Sequence, residues 1–368
     1  MLQAWVDRLG EPAVLAIGGL LLGATFGFFA QRSRFCLRSA VIEFARQLAG
    51  GKLTVWLFAF AVAVIVTQAL ALSGWLDTST ARQLSARGSL SGALVGGLLF
   101  GTGMILARGC SSRLLILAAQ GNLRSVIAGL VFAVTAQASL GGMLAPLREG
   151  IAGWWTIDGG PSRDLLAHVG LGHAAAMGFG LLWLVAAMWW ARKQRVPVWG
   201  WLGAIVVGLT IAGSWWFTYR ITQVSFDPHP VQAMSFTGPS AELLSRVLFA
   251  SARPLNFDMG LIFGVVLGAF LAAACFRELK LEGFQGGASM SRYLAGAVLM
   301  GFGGMLAGGC AVGAGLSGAS VFALTAWITL TAIWCAAALT DRLLDHQPSP
   351  SLDQAMPGST PHLPAQHP

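Results

Sequence analysis

Leu53–Leu72 reads LTVWLFAFAVAVIVTQALAL, without a single charged residue. A helix crosses the hydrocarbon of a bilayer with about 20 apolar residues, so this stretch is long enough to span it. Similar runs recur at Ala13–Ala30, Leu90–Ala107, Val126–Leu140, His168–Ala191, Val198–Phe217, Met259–Phe276, Leu294–Ala307 and Val321–Leu339. They lack the in–out alternation of a membrane β-barrel. Lipid offers the backbone no hydrogen-bond partners, which leaves helices. The expected fold is all-α, a polytopic membrane bundle of about nine transmembrane helices embedded in the lipid bilayer. Two of the shorter runs end in Gly-Cys, at Cys110 and Cys310. There the chain is expected to break into short re-entrant half-helices.

Composition agrees. Of 368 residues, 55% are apolar and only 10% charged, against about a quarter charged in a soluble domain. The net charge of +8 does not point to nucleic acid, because its placement follows the membrane. With nine spans and the amino terminus outside, fifteen of the 23 Lys and Arg fall on the inner side, as the positive-inside rule requires. Arg192-Lys193-Gln194-Arg195, flanked by Trp189-Trp190 and Trp199, marks a cytoplasmic loop. The amino terminus is expected in the periplasm and the carboxyl terminus in the cytoplasm, in a bacterial inner membrane. Glu11 before the first run and Gln31-Arg32-Ser33-Arg34 after it do not resemble a cleaved signal.

The chain repeats itself. Gly96–Cys110 (GGLLFGTGMILARGC) and Gly296–Cys310 (GAVLMGFGGMLAGGC) share eight of fifteen positions. Gly19–Phe35 and Gly260–Phe276 form a second pair, sharing Gly19, Leu20, Gly23, Gly27, Phe29 and Phe35. Two matches in the same order point to an internal duplication, common in secondary transporters. The expected organisation is one transmembrane domain over 1–343, with repeat halves at about 13–142 and 168–340, then a disordered tail over 344–368. In this topology the downstream pair runs in opposite directions and the upstream pair in the same direction. Gly19, Gly23 and Gly27, and again Gly260, Gly264 and Gly268, form ridges that let helix backbones approach closely. The long polar stretch Tyr219–Asp258 is expected outside the membrane, with a short amphipathic helix over Ser240–Phe249 capped by Ser240.

Of five cysteines, Cys275 and Cys335 sit inside ordinary apolar runs, as small buried hydrophobes do. No CxxC and no Cys/His cluster of zinc spacing occurs, so neither a metal nor a cofactor is expected. Cys36, Cys110 and Cys310 differ, because each lies where an apolar helix ends. A new helix starting at such a point presents free N–H groups, which attract anions. Gly109, Ser111 and Arg108 beside Cys110, and Gly309 and Gly313 beside Cys310, are the expected supporting residues.

Gly308–Gly318 (GGCAVGAGLSG) resembles the GGCxxGxGLxG signature of the YeeE/YedE family of membrane proteins. Arg34-Phe35-Cys36 and Gly109-Cys110 resemble its other two cysteine motifs, and the resemblance covers roughly residues 13–340. It implies a bundle with half-penetrating helices and a central path through Cys36, Cys110 and Cys310. Family members include thiosulfate uptake proteins, and others are linked to selenium or other sulfur compounds. One position departs: Arg113 stands where the family usually has a small residue, often Gly.

The expected function is transport, not catalysis: a small sulfur-containing anion, thiosulfate first, moves along protonated thiols. A neutral S–H is a weak donor and passes an anion on without trapping it, as conduction demands. The alternatives are transport of a selenium or other sulfur species, a membrane-embedded thiol sulfurtransferase, and a scaffold for a small cytoplasmic sulfur-carrier protein.

Overall fold

The computed structural model describes residues 2–48, 50–225, 229–249, 254–283 and 287–344; the expected tail beyond Leu344 lies outside them. The apolar runs fold as helices. In chain order these are α1 (Leu2–Leu9), α2 (Glu11–Arg32), α3 (Leu37–Ala45), α4 (Lys52–Leu72), α5 (Arg82–Ser85), α6 (Leu90–Leu106), α7 (Ser111–Ala119) and α8 (Leu123–Gly141). They continue with α9 (Ala145–Gly153), α10 (Leu165–Val169), α11 (His173–Lys193), α12 (Val198–Thr222), α13 (Thr237–Phe249), α14 (Phe257–Cys275), α15 (Gly287–Leu306) and α16 (Leu324–Leu344). A π-helical turn, Gly313–Gly318, joins α15 to α16. The strands β1 (Gly88–Ser89) and β2 (Thr156–Ile157) pair antiparallel, Gly88 opposite Ile157.

The chain is a polytopic helical membrane protein. Among the described residues eight helical stretches are long and apolar enough to cross a bilayer, two of them being α2 with α3 and α6 with α7. The further long helix α15 packs against both α6 and α8.

The repeated sequences pack on one another. A Cβ added at Gly19, Gly23 or Gly27 would strike the backbone of Phe257, Leu261 or Val265 on α14. Reciprocally, one at Gly260, Gly264 or Gly268 would strike Ala16, Leu20 or Ala24 on α2. Contacts on both helices advance together, so α2 and α14 run parallel. For α6 and α15 the order reverses: Gly96 meets Gly303, and Gly103 meets Gly296. That pair is antiparallel. Both crossings bring backbone onto backbone, the form of association available where lipid gives helices little hydrophobic reason to meet.

Polar contacts gather at two opposite faces. At the first, Gln31 Nε2 donates to Glu278 Oε2 at 2.8 Å and Asn122 Nδ2 to Glu282 Oε2 at 2.6 Å. There too Arg46 holds the wholly buried Asp341 through both carboxylate oxygens, at 2.7 and 2.9 Å, tying the end of α3 to α16. We term this the Arg113 face. At the other, the Asp258 face, His229 Nε2 lies 2.5 Å from Glu11 Oε1 and Gln232 Nε2 donates to Asp258 Oδ1 at 3.1 Å.

The structure corrects one expectation here. Residues 231–237 do not lie outside the bundle: Met234 and Phe236 are fully buried and every residue of the segment is in the interior. Thr218 Oγ1 donates to the Gln232 carbonyl (2.8 Å) and Ser317 Oγ to the Met234 carbonyl (2.6 Å). Irregular backbone is tolerated at depth when protein groups satisfy it in this way. Accordingly α13 begins at Thr237, and Ser240, instead of capping it, donates back to the Phe236 carbonyl at 2.6 Å.

Candidate functional site

Three chain breaks share one construction. Each preceding helix closes with a Schellman arrangement, in which the N–H two residues past the helix cap reaches back to a carbonyl five residues earlier. Phe35 N–H donates to the Ala30 carbonyl (2.9 Å), Gly109 N–H to Met104 (3.1 Å) and Gly309 N–H to Gly304 (3.0 Å). The residue just before takes a left-handed conformation: Arg34 (φ 54°), Arg108 (φ 54°) and Gly308 (φ 74°). Only glycine does so without cost, so Arg34 and Arg108 hold strained turns, of about 1–2 kcal/mol each. The next residue but one is the cysteine. Its carbonyl accepts the first bond of the following helix, from Ala40, Leu114 and Ala314 at 3.2, 2.9 and 2.8 Å.

Cys36 and Cys110 therefore stand at the N-caps of α3 and α7, and Cys310 stands two residues before Val312, which caps the π-helical turn. Gly313 N–H donates to Cys310 Sγ at 3.4 Å. All three thiols are free and buried, Cys36 at 8% exposure, Cys110 at 1% and Cys310 at 0%. The Cys36 and Cys110 side chains lie close to each other, although 74 positions separate them. Cys275 and Cys335 are exposed on helix surfaces.

Cys310 occupies a different place. Its flanking Gly309 and Gly313 line a cavity of about 780 Å³ on the Asp258 face. Arg82, Arg87, Arg148 and Arg163 line it too, with Glu149, Glu242 and Asp258. Arg163 is 7% exposed and donates to Thr325 Oγ1 at 2.7 Å and to the Ala86 carbonyl. Burial draws its guanidinium below the ordinary arginine value. Ser235, which also lines the cavity, abuts the turn at Gly313. Its neighbour Phe236 packs on Phe26 (5.5 Å between ring centres), which packs edge-on to Phe35 (6.3 Å) beside Cys36. A series of packed rings, Phe236, Phe26 and Phe35, thus links the segment beside the Cys310 turn to the residue before Cys36.

The supporting residues divide. Gly313 supplies the N–H to Cys310, and Gly309 packs against the Ala314 backbone. The hydroxyl on Cys110 comes from Ser112, 3.3 Å from its sulfur; Ser111 instead lines an apolar crevice between α7, α8 and α13. Arg108 is exposed at its left-handed turn, and Gly109 has ordinary contacts with Arg113. Sequence reading marked Arg113 only as a departure from the family pattern and a charge beside Cys110, and it passed over Gln31, which accepts from Arg113 Nη1 at 3.2 Å. It also passed over residues 234–236. The polar Gln68 inside the Leu53–Leu72 run was a visible signal: it bonds His173 Nδ1 at 2.8 Å and the Ser320 carbonyl at 2.6 Å, next to the π turn.

The comparisons with known proteins converge. The chain is 25% identical over 357 residues to the thiosulfate transporter TsuA of Escherichia coli (strain K12), covering 86% of this chain and 91% of that protein. It is 27% identical over 322 residues to the thiosulfate transporter TsuA of Spirochaeta thermophila, covering 84% and 93%. The sulphur-transport family matches residues 32–339, a span that takes in all three thiol turns and the helices between them. The chain belongs to the sulphur-transport family of membrane proteins.

Proposed function

We propose that this protein carries thiosulfate, or a closely related sulfur oxyanion, across the bacterial inner membrane along a path through Cys310, Cys36 and Cys110. The observation that carries the reading is the threefold recurrence of a buried thiol directly after a Schellman-type helix break, two of the three close to each other. The names of the two relatives support the choice of anion. The Arg113 face is cytoplasmic by the positive-inside rule, with Arg192, Lys193 and Arg195 at the end of α11 anchoring it, so both termini keep the sides read from the sequence.

Chemically, an incoming dianion loses hydration in the cavity on the Asp258 face, where four arginines offset three carboxylates. It then meets a protonated thiol and N–H groups at the Cys310 turn. Neutral S–H donors bind weakly, which favours release as much as entry. Passage to the Cys36–Cys110 pair requires the Phe26 and Phe236 rings to move aside, so transport includes a conformational step. The protein acts as a single transmembrane unit and is not an enzyme. A small cytoplasmic sulfur carrier would collect the cargo at the Arg113 face.

Uptake of sulfur-35 thiosulfate into proteoliposomes tests this. Cys110→Ala and Cys310→Ala should each abolish flux while leaving membrane insertion intact. Unchanged flux in both variants rules out the thiol path.

A further inference from the structure

We propose that Arg113, Lys52 and Arg34 form a second oxyanion subsite on the cytoplasmic side of the Cys36–Cys110 pair, with Arg113 selecting dianions over monoanions. The inference rests on the transport reading above and adds to it a site and a basis for discrimination.

Arg113 stands by both inner thiols: it lies in the first turn of α7, three residues past Cys110, and its side chain reaches Gln31, five residues before Cys36. The guanidinium is aimed, not loose. Nη1 donates to Gln31 Oε1 at 3.2 Å, and the buried Gln31 is itself held by donating from Nε2 to Glu278 Oε2 at 2.8 Å. Glu278 turns its other oxygen to Arg32, 3.8 Å away, whose guanidinium lies 4.1 Å over the Phe276 ring. The amide of Gln31 therefore stands between Arg113 and the nearest carboxylate of this relay. Arg113 is oriented without being neutralised, and four of the five guanidinium N–H donors remain beyond the bond to Gln31.

Two further cations converge there. Arg34 donates its backbone N–H to the carbonyl of Gln31 at 3.1 Å, the same residue that holds Arg113, and Lys52, half-buried, opens α4 against α3, the helix that starts at Cys36. Glu43 is the acid in this group, and its Oε2 is occupied in capping α4, accepting the N–H of Lys52 at 2.7 Å and of Leu53 at 2.9 Å. Three cations against one carboxylate leave the cluster two positive charges in excess, the complement of a dianion such as thiosulfate. Like charges gathered at one site repel one another, and a bound dianion offsets that repulsion more fully than a monoanion does. The weak thiols pass the ion along, and the cationic cluster supplies a charge-selective station before release. Arg is suited to it, because its planar fork grips oxyanions through two parallel bonds. The departure at position 113 from the small residue usual in the resembling family makes this station a property of this chain.

The test uses full-length protein in proteoliposomes of known orientation. Half-saturation for thiosulfate is measured separately from each face, with sulfate and thiocyanate as dianionic and monoanionic competitors. Arg113→Gln should raise half-saturation from the Arg113 face about tenfold, the worth of 1.4 kcal/mol, and make thiocyanate the stronger competitor. Half-saturation from the Asp258 face should stay as in the parent. Arg113→Lys should recover most of the discrimination, and Lys52→Gln should move it in the same direction as Arg113→Gln. Equal changes at both faces, or none at either, overturn the proposal. A loss of uptake in cells with unchanged kinetics in proteoliposomes also overturns it and assigns the cluster to a cytoplasmic protein partner. Failure of the transport reading is distinct: the parent protein then moves no thiosulfate from either face.

Discussion

A single added methyl group at Gly313 tests whether the Cys310 turn depends on close packing against the buried segment that precedes α13. A Cβ built there lies 2.6 Å from Ser235 Oγ and 3.1 Å from Ser235 Cβ, where ordinary contact begins at 3.4 Å. Ser235 has little room to retreat, since its neighbour Met234 accepts a 2.6 Å bond from Ser317 and the whole segment is buried. Overpacking of this kind costs about 1–3 kcal/mol, and the displacement falls on the Gly313 N–H that donates to Cys310 Sγ. Gly313→Ala should therefore lower the thermal midpoint in detergent and remove most thiosulfate flux. Ser235→Gly, which deletes both clashing atoms, should restore stability and flux when combined with it. The reasoning fails if Gly313→Ala alone keeps full flux and the parent midpoint, or if the double variant is no better than the single one.

Other expectations concern the scaffold. Gly268→Ala places a Cβ 1.9 Å from the Ala24 carbonyl oxygen, whereas Gly178→Ala on α11 meets nothing within 4 Å. Thermal unfolding should show the first destabilised and the second unchanged or slightly stabilised, by up to about 1 kcal/mol of helix propensity; shifts of the same sign would refute the ridge-on-ridge account. Asp341→Ala leaves Arg46 without the carboxylate that holds it through two bonds. Breaking such a pair costs about 3–5 kcal/mol, and proteolysis near residues 46–52 should report the loosened end of α3. Removal of Cys110 or Cys310 and the Arg113 series, set out above, complete the set.

The course of the chain through the membrane was legible because lipid imposes a simple condition. A run such as Leu53–Leu72 has no alternative to a helix, and the glycine ridges announced close crossings before any partner was known. The directions of the matched segments were legible too: α2 and α14 run the same way, and α6 and α15 run oppositely. What the repeat did not announce is that each copy packs on its own counterpart, because sequence similarity carries no information about which surfaces meet.

Residues 231–237 show the limit from the other side. Their composition reads as a loop, and no periodicity reveals that Thr218 and Ser317 satisfy their backbone inside the bundle. Arg113 is a second instance. A lone arginine at a helix start is indistinguishable from a charge anchored at the interface until Gln31, Lys52 and Cys36 are placed around it.

The sequence by itself determined the solvent this protein lives in, its helical class, and that Cys36 and Cys110 follow the ends of apolar helices, because hydrophobic length and chain breaks act locally. Only the tertiary structure decided that Cys36 and Cys110 face each other while Cys310 borders a separate cavity, and that an arginine held by a buried glutamine bears on the inner pair. Those relations arise from helices 74 or more positions apart along the chain, and proximity of that kind is created by packing and not by any local preference.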